Sequence, residues 1–96
     1  MGGLNSIIYN FFNMDMHLFL ASYVEYDVND DIHKDFRLFI MKDEAEACLR
    51  KWQKDFEEEK KDVTFDDVLM DEDHIQYLWD GSSNCLDIAV TEVQVN

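Results

Sequence analysis

Residues 62–80 read DVTFDDVLMDEDHIQYLWD, and how this stretch folds decides how many strands the chain can give to a sheet. Ile75, Tyr77 and Trp79 recur at every second position, the period of a β-strand. Upstream, 64–70 is expected to form a short helix, with Thr64 as its cap and Asp67 three residues on. Downstream, Asp80-Gly81-Ser82-Ser83-Asn84 is a turn. Leu86, Ile88 and Val90 then share one face of a last strand, with Ala89, Thr91, Val93 and Val95 on the other. The strands on either side of the turn pair as a hairpin.

Working outward, 43–60 gives the clearest helix. Ala45, Leu49, Trp52 and Phe56 build a buried stripe with Cys48 at its flank. Asp43 is placed to cap it, with Glu46 completing a variant capping box. Glu46–Arg50 and Glu57–Lys61 are i,i+4 pairs in the favourable order. Before the helix, residues 16–28 and 36–41 alternate as two strands, joined by the polar turn 27–35 into a second hairpin. Met16, Leu18, Leu20, Val24 and Tyr26 are taken as the core face. Phe19, Tyr23, Phe39 and Met41 then fall on the opposite face, which one long helix cannot also cover. They are candidate oligomer-interface residues, unless the apolar stripe Leu4, Ile7, Ile8, Phe11, Phe12 packs there as a short N-terminal helix. The expected fold is α+β: a single domain over 1–96, with an antiparallel sheet of about four strands in two hairpins on one main helix.

The chain has 47% hydrophobic and 14% aromatic residues, enough to bury a core and to exclude disorder despite a net charge of -14. That charge disfavours direct contact with nucleic acid or anionic lipid and favours a basic protein surface. The apolar stretch 4–12 is too short to span a membrane, and no Lys or Arg precedes Lys34 to make it a signal segment. Cys48 and Cys85 have no CxxC spacing and read as free thiols. The expected location is therefore the cytoplasm, that of a host cell if the chain is viral.

Tests for reactive chemistry fail one by one. Asp27, Asn29 and Asp31 open like a calcium loop, but Ile32 stands where Gly is needed and Leu38 where Glu is needed. His17, His33 and His74 lack zinc-ligand spacing. Ser82 and Ser83 are turn residues outside any nucleophile elbow. Gly2, Gly3 and Gly81 are the only glycines, so there is no phosphate loop. No catalytic residue, metal site or cofactor is expected, and the chain is read as not an enzyme.

The stretch 62–80 differs from the charged helix because no cation answers it. It carries seven carboxylates (Asp62, Asp66, Asp67, Asp71, Glu72, Asp73, Asp80) and no Lys or Arg. They are interleaved with apolar residues, so a fold would hold them in place, unlike a flexible acidic tail. Asp62, Asp66, Asp67, Asp71, Glu72 and Asp73 are the candidate partner-binding charges, with Tyr77 and Trp79 as apolar anchors. Carboxylates at helical or strand spacing lie about 6 to 7 Å apart, a scale on which a rigid array can occupy successive phosphate subsites in a basic groove.

In size, acidity and lack of an enzymatic motif, the chain resembles small inhibitors carried by phages and mobile elements, of the anti-CRISPR and anti-restriction kind. It is also similar to acidic immunity proteins that neutralise nuclease toxins. The resemblance spans the whole chain in character and matches no motif, so it transfers no residue role. It implies a stoichiometric inhibitor that docks on a nuclease or other nucleic-acid-binding effector as a nucleic-acid mimic. From a different class, a small homodimeric structural or adaptor protein also fits, with the second sheet face as its interface.

Overall fold

The computed structural model describes residues 16–29 and 31–95. In chain order the elements are β1 (Met16–Tyr26), β2 (Ile32–Phe39), α1 (Lys42–Glu59), β3 (Phe65–Met70), β4 (His74–Trp79) and β5 (Asn84–Val95). The strands form a five-stranded sheet in the order β2-β1-β5-β4-β3, antiparallel at each pairing. The fold is α+β, with α1 carrying the chain from one edge of the sheet to the other.

One more strand is present than the sequence suggested. The stretch expected as a short helix is β3, paired to β4 with Val68 opposite Tyr77 and Met70 opposite Ile75. So short a helix has too few internal hydrogen bonds to offset its nucleation. Pairing instead satisfies the backbone of β4, which would otherwise be an exposed edge. The register shifts between Phe65 and Asp67, leaving a bulge at Asp66. The proposed N-terminal helix lies outside the described residues.

The second correction concerns the faces. β5 pairs with β1 so that Ala21 is opposite Val90 and Tyr23 opposite Ile88. Ile75 and Tyr77 on β4 are in turn opposite Ile88 and Leu86. This register aligns Phe19, Ala21 and Tyr23 with the most apolar face of the other strands, and α1 packs there. Phe19, Tyr23 and Phe39 are therefore packed against the core, not displayed on an outer face. Met41 is off the sheet, at the N-cap of α1. Ala21, Ala45, Leu49, Ile75, Leu86 and Ile88 are fully buried at the centre. The face left open holds Leu18, Leu20 and Val24 of β1 by alternation, with Ile32, Phe36 and Leu38 of β2 exposed beside them.

Two local expectations also shift. Asp43 lies inside the first turn of α1, and Met41 is the N-cap, with φ -105, ψ 132 and no side-chain cap bond. Asp43 and Glu44 still complement the helix dipole. The i,i+4 ion pair formed at the start is Lys42–Glu46, at 3.7 Å. Because Met41 is exposed and has the extended backbone of a capping residue, Met41→Ser is expected to raise stability by about 1 kcal/mol. Urea unfolding followed by circular dichroism measures this.

Candidate functional site

The acids of 62–80 are displayed on a β-hairpin at one edge of the sheet. Asp66 and Asp67 are exposed at the bulge, and Asp71 and Glu72 are exposed in the β3–β4 turn. Between them, Val68, Leu69 and Met70 are also exposed. Asp67 and Asp71 are four residues apart, about 13 Å along an extended strand. The hairpin thus presents two acidic ends with an apolar strip between them, not one continuous row. A bulge and charges on an edge strand also hinder strand-to-strand aggregation.

Both ends are held by the fold. Asp66 Oδ2 accepts the Ser82 N–H at 2.8 Å, tying the bulge to the β4–β5 turn. That turn runs through three consecutive residues with positive φ, Asp80 (58), Gly81 (67) and Ser82 (64), a conformation that favours glycine. At the other end, the Asp71 N–H donates to the His74 carbonyl and the Val90 N–H to the Asp73 carbonyl, each at 2.8 Å. Arg50 donates to the Glu72 carbonyl at 3.1 Å. Lys42 lies 3.8 Å from Asp73, and Asp73 first, then Glu46, holds its ammonium above the usual value. Lys42 therefore answers Asp73, while Asp67, Asp71 and Glu72 make no side-chain ion pair among the described residues. Asp62 is exposed in the turn after α1.

Tyr77 and Trp79 are not surface anchors. They share the inward face of β4 with Ile75 and are 2% and 6% exposed. Phe56 packs on both, at centroid distances of 5.1 and 5.4 Å. Lys60 closes over the Trp79 ring at 5.7 Å. The Tyr77 hydroxyl donates to Glu57 and receives the Gln53 amide at 3.3 Å. Burial, then the Glu57 hydrogen bond, pushes the Tyr77 pKa up to about 12. A raised folded-state value means that stability is complete below the ordinary tyrosine pKa near 10. Above it, the unfolded chain loses its proton first, so stability falls as pH rises from about 10 toward 12. Thermal unfolding measured across that window should show the decline, and Tyr77→Phe should remove its share, leaving the part that the likewise raised Tyr23 supplies.

A second constellation was not singled out from the sequence. Tyr23, Asp35, Trp52, Asp55, Phe56 and Glu59 line a pocket of about 240 Å³ between α1 and the β1–β2 hairpin. Trp52, Asp55, Phe56 and Glu59 have the helical spacing i, i+3, i+4, i+7, a signal legible in the sequence. Tyr23 and Asp35 meet only through the strand register that sets them opposite each other. Tyr23 and Trp52 are edge to face at 5.5 Å.

The cysteines are both unpaired, and burial pushes both thiols up, which works against a nucleophilic thiolate. His74 contacts Asp87 at 2.8 Å. Cys85, however, is opposite Leu78 while His74 is opposite Ala89, a separation of about 13 Å along the strand. Asp27 is spent on the hairpin loop, accepting the Asn29 N–H at 2.9 Å and the Asp31 N–H at 3.2 Å. Among the described residues, no group of three or more His, Cys, Asp or Glu is arranged to hold a metal ion. No described helix is long and apolar enough to cross a membrane. No protein-family model, curated protein or solved structure matches the chain.

Proposed function

We propose that this protein is a stoichiometric inhibitor of a basic, nucleic-acid-handling protein, and that the β3–β4 hairpin is its docking element. The observation that carries this is the pair of acidic ends, Asp66–Asp67 and Asp71–Glu72, exposed on a hydrogen-bonded edge. Their spacing of about 13 Å is on the scale of the through-space separation of nearby phosphates in a strand, which exceeds the axial advance of about 3.4 Å per nucleotide because the backbone winds round the axis. The hairpin can thus address two phosphate subsites of a basic groove while Leu69, on the same face as Asp67 and Asp71 by alternation, supplies apolar contact between them. The partner would be a nuclease or other nucleic-acid-binding effector, and a nuclease toxin neutralised by an immunity protein falls within the same chemistry.

The test is capture from the native host at low salt, elution on a salt gradient, and titration of the purified partner against duplex DNA and RNA. The expected result is 1:1 binding that displaces nucleic acid and weakens steeply with salt, because screening reaches about 8 Å at physiological ionic strength. Salt-insensitive binding, or a complex that still holds nucleic acid at full affinity, would reject the mimic.

A second reading is favoured by the open sheet face, where Ile32, Phe36 and Leu38 are exposed on an edge strand. Self-association through that face would make a homodimer that presents two hairpins. Light scattering at high micromolar concentration separates this from a strict monomer.

A further inference from the structure

We infer that the pocket between α1 and the β1–β2 hairpin is a binding site for an organic cation, the lysine or arginine side chain of a polypeptide. The site is distinct from the β3–β4 hairpin, since β2 and β3 are opposite edges of the sheet, and cation binding here does not depend on the hairpin's role.

The walls are of the kind that recognise such a group. Trp52 and Tyr23 are half-buried, Phe56 is buried, and all three line the cavity. A cation over an aromatic face is attracted by the ring quadrupole, most strongly by Trp. Asp35, Asp55 and Glu59 line the same cavity. Asp55 and Glu59 make no ion pair among the described residues, and Asp35 is met by Arg37 at 3.4 Å. Arg37 is thus the one cation of the chain placed at this rim by a described ion pair. It leaves the helix-borne carboxylates for a ligand.

The Tyr23 hydroxyl is also held protonated well above the usual range, by burial, by its 2.5 Å hydrogen bond to Glu25, and by the charges of Glu25 and Glu59. The cavity is negative as well as aromatic because Asp35, Asp55 and Glu59 line it. At about 240 Å³ it is smaller than pockets for drug-sized ligands, which start near about 300 Å³. It suits one side-chain head with its methylenes.

The experiment is a proton–nitrogen NMR titration of the full chain at low salt. The probes are Ala-Arg-Ala and Ala-Lys-Ala peptides capped at both ends, the citrulline and norleucine counterparts as neutral controls, and free tetramethylammonium. The Trp52 indole resonance is the reporter and the buried Trp79 indole the internal reference. Saturable shifts at Trp52 are expected for the charged peptides and none for the neutral ones. Asp55→Asn with Glu59→Gln should weaken binding about tenfold. These are exposed helix positions, and an unchanged melting temperature verifies the fold. Hairpin variants at Asp67 and Asp71 should leave this binding unchanged. No saturable Trp52 shift, equal shifts with the neutral peptides, or indifference to the double substitution would overturn the site. Equal affinity for tetramethylammonium would overturn its assignment to a polypeptide side chain.

Discussion

Phe56→Ala is expected to cost about 3–5 kcal/mol, enough to bring a domain of ordinary stability (about 5–15 kcal/mol) close to unfolding. Phe56 is 2% exposed and packs on Phe65, Tyr77 and Trp79 at centroid distances of 5.9, 5.1 and 5.4 Å. This aromatic cluster joins the helix to the β3–β4 hairpin, because the backbone of α1 lies over β1, β5 and β2. Removing the ring leaves a cavity walled by three other rings, which cannot collapse without moving two strands. Thermal unfolding by circular dichroism should show a fall of roughly 15–30 °C for a chain of this length. The control is Leu38→Ala on the open face. Leu38 is exposed, so its loss should stay within about 0.5 kcal/mol. If Leu38→Ala proved the more damaging of the two, the choice of core face would be reversed.

That control isolates what the sequence could not decide. The strand period in 16–28 is plain, and β1 covers most of it. But Leu18, Leu20 and Val24 are as apolar as Phe19, Ala21 and Tyr23. Alternation divides a strand into faces without saying which one receives the helix. The answer comes from pairing across the chain, where β5 brings Ile88 and Val90 level with Tyr23 and Ala21. Two strands distant in sequence therefore decide the fate of Phe19 and Phe39. The helix was legible to within a residue at each end, because an amphipathic stripe over five turns is a strong signal. β3 was not, because TFDDVLM is too short and too mixed for either period to dominate. Tyr77 and Trp79 were misplaced for a different reason. They share a face with Ile75, so once the strand was recognised they belonged inside together. The acidic character of the hairpin was readable residue by residue. Its division into two ends was not, since that needs Val68–Met70 to be extended.

Reversing Asp67, Asp71 and Glu72 to Lys together should weaken binding of the basic partner at least about a hundredfold at low salt, or about 2.7 kcal/mol. Each reversal removes an attraction and adds a repulsion. Exposed pairs contribute about 0.2–1 kcal/mol each and closely docked interfacial pairs about 1.5 kcal/mol or more, so three positions reach that total without special geometry. The choice of residues follows from the structure. Asp66 is left intact because it holds the Ser82 N–H. Asp73 is left intact because Lys42 lies 3.8 Å from it, and a lysine there would set two cations together. The three chosen side chains are exposed; reversal lowers the self-repulsion of a chain of net charge -14 but removes the Asp67 bond to the Val68 N–H at 2.9 Å and the Glu72 attraction on Lys42, so the melting temperature should stay close to that of the parent chain. Asn and Gln at the same positions should give about half the loss in free energy, and both losses should shrink as screening shortens from about 8 Å at physiological salt to about 3 Å at 1 M. Isothermal titration with the purified partner at several salt concentrations measures all of these. A triple variant that is folded and binds with unchanged affinity would leave the hairpin as a guarded sheet edge and place the docking surface elsewhere.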